Sequence, residues 1–158
     1  MRFHVHTHVE NLQASIAFYS KMFGAQPVRV EADYAKWHLD DPKLNFAISS
    51  RGSKAGIDHL GFQAETPQEL AVLKARAEAA DQSILDEGAT TCCYAKSAKH
   101  WVTDPQGIAW EHFQTMADIA VFSESDKTLP SPGAQAPACC PPRAKPVGVP
   151  VNAGSSCC

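Results

Sequence analysis

The 158-residue chain lacks several features that would place it in common classes of protein. It has no apolar run close to the ~18 residues that a membrane-spanning helix needs. Its opening, MRFHVHTH, does not show the charged-then-apolar profile of a signal peptide. Lysine and arginine are scattered and the formal net charge is −3, so no basic stripe indicates nucleic-acid binding. We expect a cytoplasmic protein with neither a nucleic-acid nor a membrane partner.

The chain also has no isolated cysteine. All six cysteines stand in adjacent pairs, at Cys92-Cys93, Cys139-Cys140 and Cys157-Cys158. Neighbouring cysteines bridge to each other poorly, because one peptide unit does not suit disulfide geometry. Two adjacent thiolates can instead bind one thiophilic atom together, which is the more typical use of clustered cysteines in a reducing compartment. Inert reduced thiols, or bridges between different pairs, are the alternatives.

Composition divides the chain near residue 125. Seven of the eleven prolines lie in residues 125–158, among glycine, alanine and serine. Such a segment cannot bury enough apolar surface to offset the entropy cost of ordering it. We therefore predict one folded domain over residues 1–124, followed by a flexible tail that carries two of the cysteine pairs.

The predicted domain contains the same order of elements twice, in modules of about 2–50 and 56–115. Each module opens with a strand of alternating or apolar pattern, Phe3–Val9 in the first and IDHLGFQA in the second. A helix follows, begun by Asn11 and ended by Gly24 in the first module, and begun by the capping box Thr66-Pro67-Gln68-Glu69 in the second. Further strands are predicted near 27–31, 34–39, 44–50, 83–86, 99–103 and 108–114. We predict an α+β fold of paired βαβββ modules.

The repeat places two histidines in equivalent positions. His4 lies seven residues before Asn11, and His59 lies seven residues before Thr66. Both histidines therefore stand on the opening strand of a module, at the same distance from the helix that follows. If the modules pair about a pseudo-twofold axis, the two side chains approach the same point.

The closing strands differ at the corresponding position. When Asp41-Pro42 is aligned with Asp104-Pro105, Glu111 falls opposite Ile48. The second module thus offers a carboxylate where the first offers an aliphatic side chain. The point of convergence is expected to contain His4, His59 and Glu111, with no fourth protein ligand.

Two histidines and one carboxylate form the facial triad of non-haem Fe(II) oxygenases, which leaves coordination positions open. The same ligands also suit Mn(II), Zn(II), Co(II) or Ni(II). His6 shares a strand face with His4 and could replace it as a ligand. The alternatives without metal are a hydrogen-bonded core histidine and a solvent-facing Glu111.

Three segments carry a family resemblance over residues 2–115. HVHTHVENLQASIAFYSKMFG resembles the opening of the vicinal oxygen chelate superfamily, which includes glyoxalase I, extradiol dioxygenases and fosfomycin-resistance proteins. IDHLGFQA resembles its second ligand strand and DPQGIAWEHF its last. The resemblance implies an open cup-shaped sheet around a divalent metal held by His4, His59 and Glu111. It also favours a homodimer.

The segment TTCCYA narrows the resemblance to the organoarsenical carbon–arsenic lyases and cadmium-induced proteins. This implies that Cys92 and Cys93 bind a trivalent organoarsenical beside an Fe(II) site that activates dioxygen, and that the products are arsenite and an oxidised organic fragment. We expect the metal and the dithiol to lie a few ångströms apart inside the cup. As accessory thiols, Cys139, Cys140, Cys157 and Cys158 are expected to capture arsenicals and pass them inward.

The substrate range is open at this stage. Several aromatic residues could either line a pocket for an aryl group or form the core, so methyl and aromatic arsenicals are both possible substrates. These residues are Phe18, Tyr19, Trp37, Tyr94, Trp101 and Trp110.

Two other classes of function compete with the lyase. One is a protein that binds Cd(II) or As(III) without turnover. The other is a thiol transferase or isomerase of the glyoxalase or fosfomycin-resistance type, which works by Lewis-acid polarisation. An isomerase would more naturally have a fourth ligand, and Ile48 at that position disfavours it.

Overall fold

The computed structural model describes residues 1–51, 54–80, 84–92 and 95–118. Its helices and strands follow the order strand, helix and three strands, twice. The elements are β1 (Arg2–His8), α1 (Leu12–Phe23), β2 (Arg29–Glu31), β3 (Tyr34–Asp40), β4 (Lys43–Ser49), β5 (Gly56–Ala64), α2 (Pro67–Ala79), β6 (Leu85–Cys92), β7 (Ala95–Thr103) and β8 (Ala109–Asp118). The predicted α+β class and βαβββ repeat are confirmed. The proposed tail, 125–158, lies outside the described residues.

The described strands form one mixed sheet in the order β2-β3-β4-β1-β5-β8-β7-β6. The modules meet where β1 pairs antiparallel with β5, and each opening strand pairs parallel with the closing strand of its own module. His4 pairs with Gly61, and His6 pairs with His59. Exchanging the two modules therefore maps His4 onto His59 and His6 onto Gly61, as a pseudo-twofold axis requires.

Helix α1 begins and ends where the sequence predicts. The Asn11 side chain accepts a hydrogen bond from the amide of Ala14 at 2.9 Å, and Gly24 adopts the left-handed conformation at φ 63°. Its apolar stripe covers one face of the first module. The core there contains Leu12, Ile16, Tyr19 and Phe23 from the helix and Ala35, Trp37, Phe46 and Ile48 from the strands.

Helix α2 begins at the predicted cap, Thr66, but the reciprocal hydrogen bond of the capping box goes to the residue before it. The Thr66 hydroxyl accepts from the amide of Glu69 at 3.2 Å, as expected, but the Glu69 carboxylate accepts from the amide of Glu65 at 2.8 Å. Leu73 and Ala77 are buried against the sheet. Neither described helix is long and apolar enough to cross a bilayer.

Strand alternation gives the sheet a helix-covered face and an open, concave face. On β4, Phe46 and Ile48 belong to the core beneath α1, whereas Asn45 and Ala47 line a cavity on the opposite face. The inward side chains of the open face include the three candidate metal ligands. This is the cup that the sequence predicts.

The aromatic residues divide between these faces. Tyr19 and Trp37 are in the α1 core, and Trp110 stacks on Phe62. Phe18 is 59% exposed and therefore belongs neither to the core nor to a cavity. Trp101 is buried on the concave side, with its ring 5.1 Å from that of His59. Tyr94 lies outside the part of the chain that the structure describes.

The alignment of Glu111 with Ile48 is wrong by one residue. Gly61 pairs with Glu111, and its equivalent, His6, pairs with Ala47, so Ala47 is the counterpart of Glu111. The error arises because the Asp-Pro segments sit in turns of different length, which join β3 to β4 and β7 to β8. Since one residue of shift moves a side chain to the other face of a strand, Ile48 is in the helix-covered core.

Strands β6 and β7 are longer than predicted. The sequence indicates strands near 83–86 and 99–103 with a long loop between them, whereas the observed strands cover 85–92 and 95–103 and pair antiparallel. Cys92 is the last residue of β6 and pairs with Ala95. Cys92 therefore ends the strand at one edge of the sheet, and Cys93 lies outside the described residues.

Candidate metal centre

Side chains from three strands bring their donor atoms together on the concave face. The Nε2 atoms of His4 and His59 are 3.1 Å apart, and the Glu111 Oε2 atom lies 3.7 Å from the first and 3.4 Å from the second. All three side chains are buried. A point equidistant from these atoms lies about 2.0 Å from each, the length of a bond from nitrogen or oxygen to Zn(II) and close to that for similar ions. These residues could hold a divalent metal.

In their neutral forms, both imidazoles turn a lone pair toward that point. The Nδ1 atom of His4 lies 3.0 Å from the carbonyl oxygen of Asn45, which can only accept, so Nδ1 carries the hydrogen. The Nδ1 atom of His59 lies 2.7 Å from the Asp58 carboxylate, which fixes the same tautomer. A distance of 3.1 Å between these two nitrogens requires a cation between them, either a metal ion or a proton carried by one of the rings. The donor set therefore fits a metal ion.

The charges at the site are those that metal ligands need. Burial, with the charge of His59, lowers the pKa of His4 to about 3, so His4 is neutral. Burial raises the pKa of Glu111, but Lys99 and His59 more than reverse this and hold it well below its usual range. Burial likewise lowers the pKa of His59, and its bonds to Asp58 and Glu111 reverse this to a net rise. A neutral imidazole and a carboxylate thus face the centre at neutral pH.

Lys99 controls how Glu111 presents its oxygens. The Lys99 Nζ atom is 3.1 Å from Oε1 of Glu111 and 3.5 Å from a carboxylate oxygen of Glu87. Because Oε1 is held by this buried lysine, only Oε2 faces the two imidazoles. In the sequence Lys99 is notable only for its closeness to the cysteine pair. The strand register makes it a diagonal neighbour of Glu111, since Lys99 pairs with Phe113.

His6, the alternative ligand, turns its nitrogens elsewhere. Its Nδ1 atom is 3.5 Å from Asp58, and its Nε2 atom is 3.0 Å from the Ser49 hydroxyl. The geometry therefore favours His4 over His6 at the centre. His6, Asp58 and His59 form a second group whose ligand atoms lie within 4.8 Å of one another.

A cavity of about 40 Å³ is lined by two of the three donors, His4 and Glu111, and has room for about three water-sized ligands. Two aromatic rings line it, those of Tyr34 and Phe113, which the sequence alone did not single out. The alternation of side chains along a strand could have identified them, because Tyr34 is on the same face of β3 as Lys36, and Phe113 is on the same face of β8 as Glu111. The remaining lining residues include Lys36, Ala47, Ser97, Lys99 and Thr115.

The backbone of Cys92 lies away from this centre. Along β7, Ala95 pairs with Cys92 and Trp101 pairs with Glu111, a difference of six residues. Six residues of extended strand span about 20 Å. The backbone of Cys92 is therefore about that far along the sheet from Glu111. Cys93 lies outside the described residues, and the expected closeness of the two thiols to the metal stays a prediction. The cavity extends from the donors toward Cys92, because its lining includes Ser97, which is two residues from Ala95.

Sequence comparison agrees with this architecture. Residues 3–112 match the family model of the Glyoxalase/Bleomycin resistance protein/Dioxygenase superfamily. The chain therefore belongs to that superfamily.

Its relatives include proteins named for arsenic and cadmium. It is 42% identical over 146 residues, 89% of this chain and 91% of the other, to the trivalent organoarsenical cleaving enzyme of Bacillus sp. (strain MD1). It is 32% identical to the cadmium-induced protein CadI of Mycobacterium bovis, over 84% of this chain and 88% of that protein.

A solved structure with the same fold is the extradiol ring-cleaving dioxygenase from B. fuscum. The match covers 76% of this chain and 34% of that one, with a TM-score of 0.55 and 16% identity. At this identity the likeness extends to the fold alone.

Proposed function

We propose that the protein is an Fe(II)-dependent lyase that uses dioxygen to cleave the carbon–arsenic bond of trivalent organoarsenicals. The observation that supports this most directly is the buried trio of His4, His59 and Glu111 beside a cavity. The arsenical substrate is supported by 42% identity to a trivalent organoarsenical cleaving enzyme over most of both chains.

In this proposal each residue of the centre has a defined task. His4, His59 and Glu111 hold the metal, and their convergence from one side leaves the cavity side open. Bound Fe(II) supplies the activation of dioxygen, since such a triad leaves positions for substrate and oxygen. Asn45 and Asp58 keep the two imidazoles in the tautomer that binds metal, and Lys99 restricts Glu111 to one oxygen.

Cys92 and Cys93 are proposed to hold the substrate through arsenic. Their thiols displace the two hydroxyl groups of R–As(OH)₂ as water, which leaves the As–C bond intact and the arsenic fixed. Turnover then requires the bound arsenic to lie at the cavity, so that the As–C bond reaches the open side of the centre. Reduced thiols are essential to this step, which is consistent with the cytoplasm.

The chemistry balances for a methyl substrate without an external reductant. Methylarsonous acid, CH₃As(OH)₂, and one O₂ give formaldehyde and arsenous acid, As(OH)₃. Carbon is oxidised as dioxygen is reduced, and the As–C bond is replaced by an As–O bond. Equal amounts of formaldehyde and arsenite are therefore expected per dioxygen consumed.

An anaerobic mixing experiment tests the proposal. Fe(II)-loaded protein is incubated with methylarsonous acid, and arsenite is measured before and after air is admitted. Arsenite should appear only after air enters. The double variant Cys92→Ser/Cys93→Ser should abolish its release while the protein keeps its iron. The matched control is Cys139→Ser/Cys140→Ser, which removes the same number of thiols and should retain turnover at saturating substrate.

A second candidate is a binding protein that sequesters As(III) or Cd(II). It is favoured by the similarity to a relative named as cadmium-induced. The same experiment separates the two functions, because stoichiometric arsenic binding without aerobic release of arsenite supports sequestration. A glyoxalase-type isomerase has less support, since Ala47 stands where a second carboxylate would be equivalent to Glu111.

A further inference from the structure

Asp58 reaches the concave face through an irregularity in β5. Along the β1–β5 ladder His6 pairs with His59, but Thr7 pairs with Ile57, so Asp58 is the extra residue of a bulge. Regular alternation would turn the neighbour of His59 to the opposite face. A bulge re-aims the side chain at such a position, and here the Asp58 carboxylate lies beside inward-facing histidines.

Four side chains form a closed ring at this bulge. Oδ2 of Asp58 lies 3.5 Å from Nδ1 of His6, whose Nε2 atom lies 3.0 Å from the Ser49 hydroxyl. The same hydroxyl lies 3.0 Å from Nδ1 of His8, whose Nε2 atom lies 2.8 Å from Oδ1 of Asp58. Both carboxylate oxygens are therefore occupied within the ring.

The ring is attached to the metal centre at one point. Oδ2 of Asp58, besides contacting His6, lies 2.7 Å from Nδ1 of His59. Ser49 is completely buried, and the Asp58 side chain is only 12% exposed. The carboxylate thus has few alternative orientations, because each of its oxygens meets a histidine held by the same serine.

We propose that the ring of Asp58, His6, Ser49 and His8 is a positioning device that fixes the orientation and tautomer of His59. A carboxylate on the far nitrogen of a ligating imidazole orients the ring and increases the basicity of the nitrogen that binds metal. Asp58 supplies that contact, and Ser49 supports it by holding His6 and His8 against the two carboxylate oxygens. His6 and His8 thereby acquire a role that does not require them to bind metal.

The inference rests on the proposed metal centre but not on the arsenical substrate. It is tested by titrating metal-free protein with Co(II), which gives both an affinity and an absorption spectrum. Asp58→Ala should weaken Co(II) binding about 10- to 100-fold, the usual effect of removing such a partner. Asp58→Asn should recover part of the loss, because its amide oxygen still accepts from His59. Ser49→Ala should weaken binding in the same direction by a smaller factor.

Controls separate positioning from general stability. Asp40→Asn removes an exposed carboxylate that pairs with Arg2, and it should leave Co(II) binding unchanged. At a pH above the raised pKa of His59, where the ring is neutral, nitrogen NMR of metal-free wild type should show its hydrogen on Nδ1, and Asp58→Ala should produce a mixture of tautomers. An unchanged Co(II) affinity and spectrum in folded Asp58→Ala would overturn the role of Asp58, and unchanged binding in Ser49→Ala would overturn the role of the ring.

The NMR measurement also distinguishes failure of the ring from failure of the metal centre. If the wild type does not bind Co(II), the metal centre is refuted. The ring is then supported if the His59 tautomer depends on Asp58, and it is refuted if the tautomer does not.

Discussion

Ala47 and Glu111 occupy equivalent positions in the two modules, and only Glu111 offers a metal ligand. Both lie on the concave face, and both line the same cavity. The methyl group of Ala47 thus occupies the place where an exact repeat would put a second carboxylate. The proposed centre has an open side because the duplication is asymmetric at this pair.

Ala47→Glu should therefore close part of that side. The new carboxylate is expected to tighten Co(II) or Fe(II) binding by roughly tenfold, the order of one interaction with a charged group, and to slow oxygen-dependent release of arsenite. Ala47→Gln is the matched control, since it has the same shape without the charge and should tighten binding far less. Equal affinity in the glutamate variant and the wild type would contradict the equivalence.

Substitutions at Ile48 test the opposite face of the same strand. Ile48 is fully buried in the core beneath α1, so Ile48→Ala should reduce the free energy of unfolding by about 2–5 kcal/mol. Ile48→Val should cost about 0.5–1.5 kcal/mol. Both variants should bind Co(II) like the wild type while folded. Denaturant titration and metal titration on the same samples check this, and weaker Co(II) binding would place Ile48 at the centre instead.

Gly61→Ala should damage the centre through the backbone. A Cβ atom added at Gly61 would overlap the carbonyl oxygen of Glu111 on the paired strand, so β8 must shift and carry its ligand with it. We expect lower stability together with weaker Co(II) binding. Gly107→Ala is the comparison, since nothing obstructs its Cβ atom but its φ of 88° is strained for alanine. It should lose about 1–3 kcal/mol of stability and keep the Co(II) affinity of the wild type.

Lys99→Met should destabilise the metal-free protein more than the metal-loaded one. Without metal, the ammonium group of Lys99 is the cation closest to the carboxylate of Glu111, at 3.1 Å, and breaking such a buried pair costs about 3–5 kcal/mol. With metal bound, Glu111 still faces a cation, so the loss should shrink. Thermal melts with and without Co(II) measure the difference. Lys99→Arg keeps the charge and should show a smaller effect, and an equal loss in both states would contradict the pairing.

Much of the fold is readable from local chemistry. Asn11, Gly24 and Thr66 stop and start helices through hydrogen bonds to nearby backbone, and such signals need no tertiary information. Alternation on β1 and the equal spacing of His4 and His59 from their helices were enough to nominate two of the three donors. These features depend on a few residues around each position.

The features that the sequence did not reveal depend on pairing between distant strands. The Asp58 side chain lies beside the centre only because a bulge in the pairing of β5 with β1 turns it to the concave face of the sheet. Ala47, rather than Ile48, matches Glu111 because two turns differ in length. Strand β6, which ends at Cys92, is longer than predicted because its ladder of hydrogen bonds to β7 continues past the apolar pattern.

The pairing of β1 with β5 has a consequence for how the protein is assembled. His4 and His59 are 55 residues apart in the chain, and Glu111 follows on a strand near the end of the domain. Contacts between such distant segments form late, because long loops must close first. During synthesis the donor set therefore stays incomplete until the second module has folded against the first. The protein is therefore expected to bind metal only after both modules have folded, and neither module alone is expected to bind the ion.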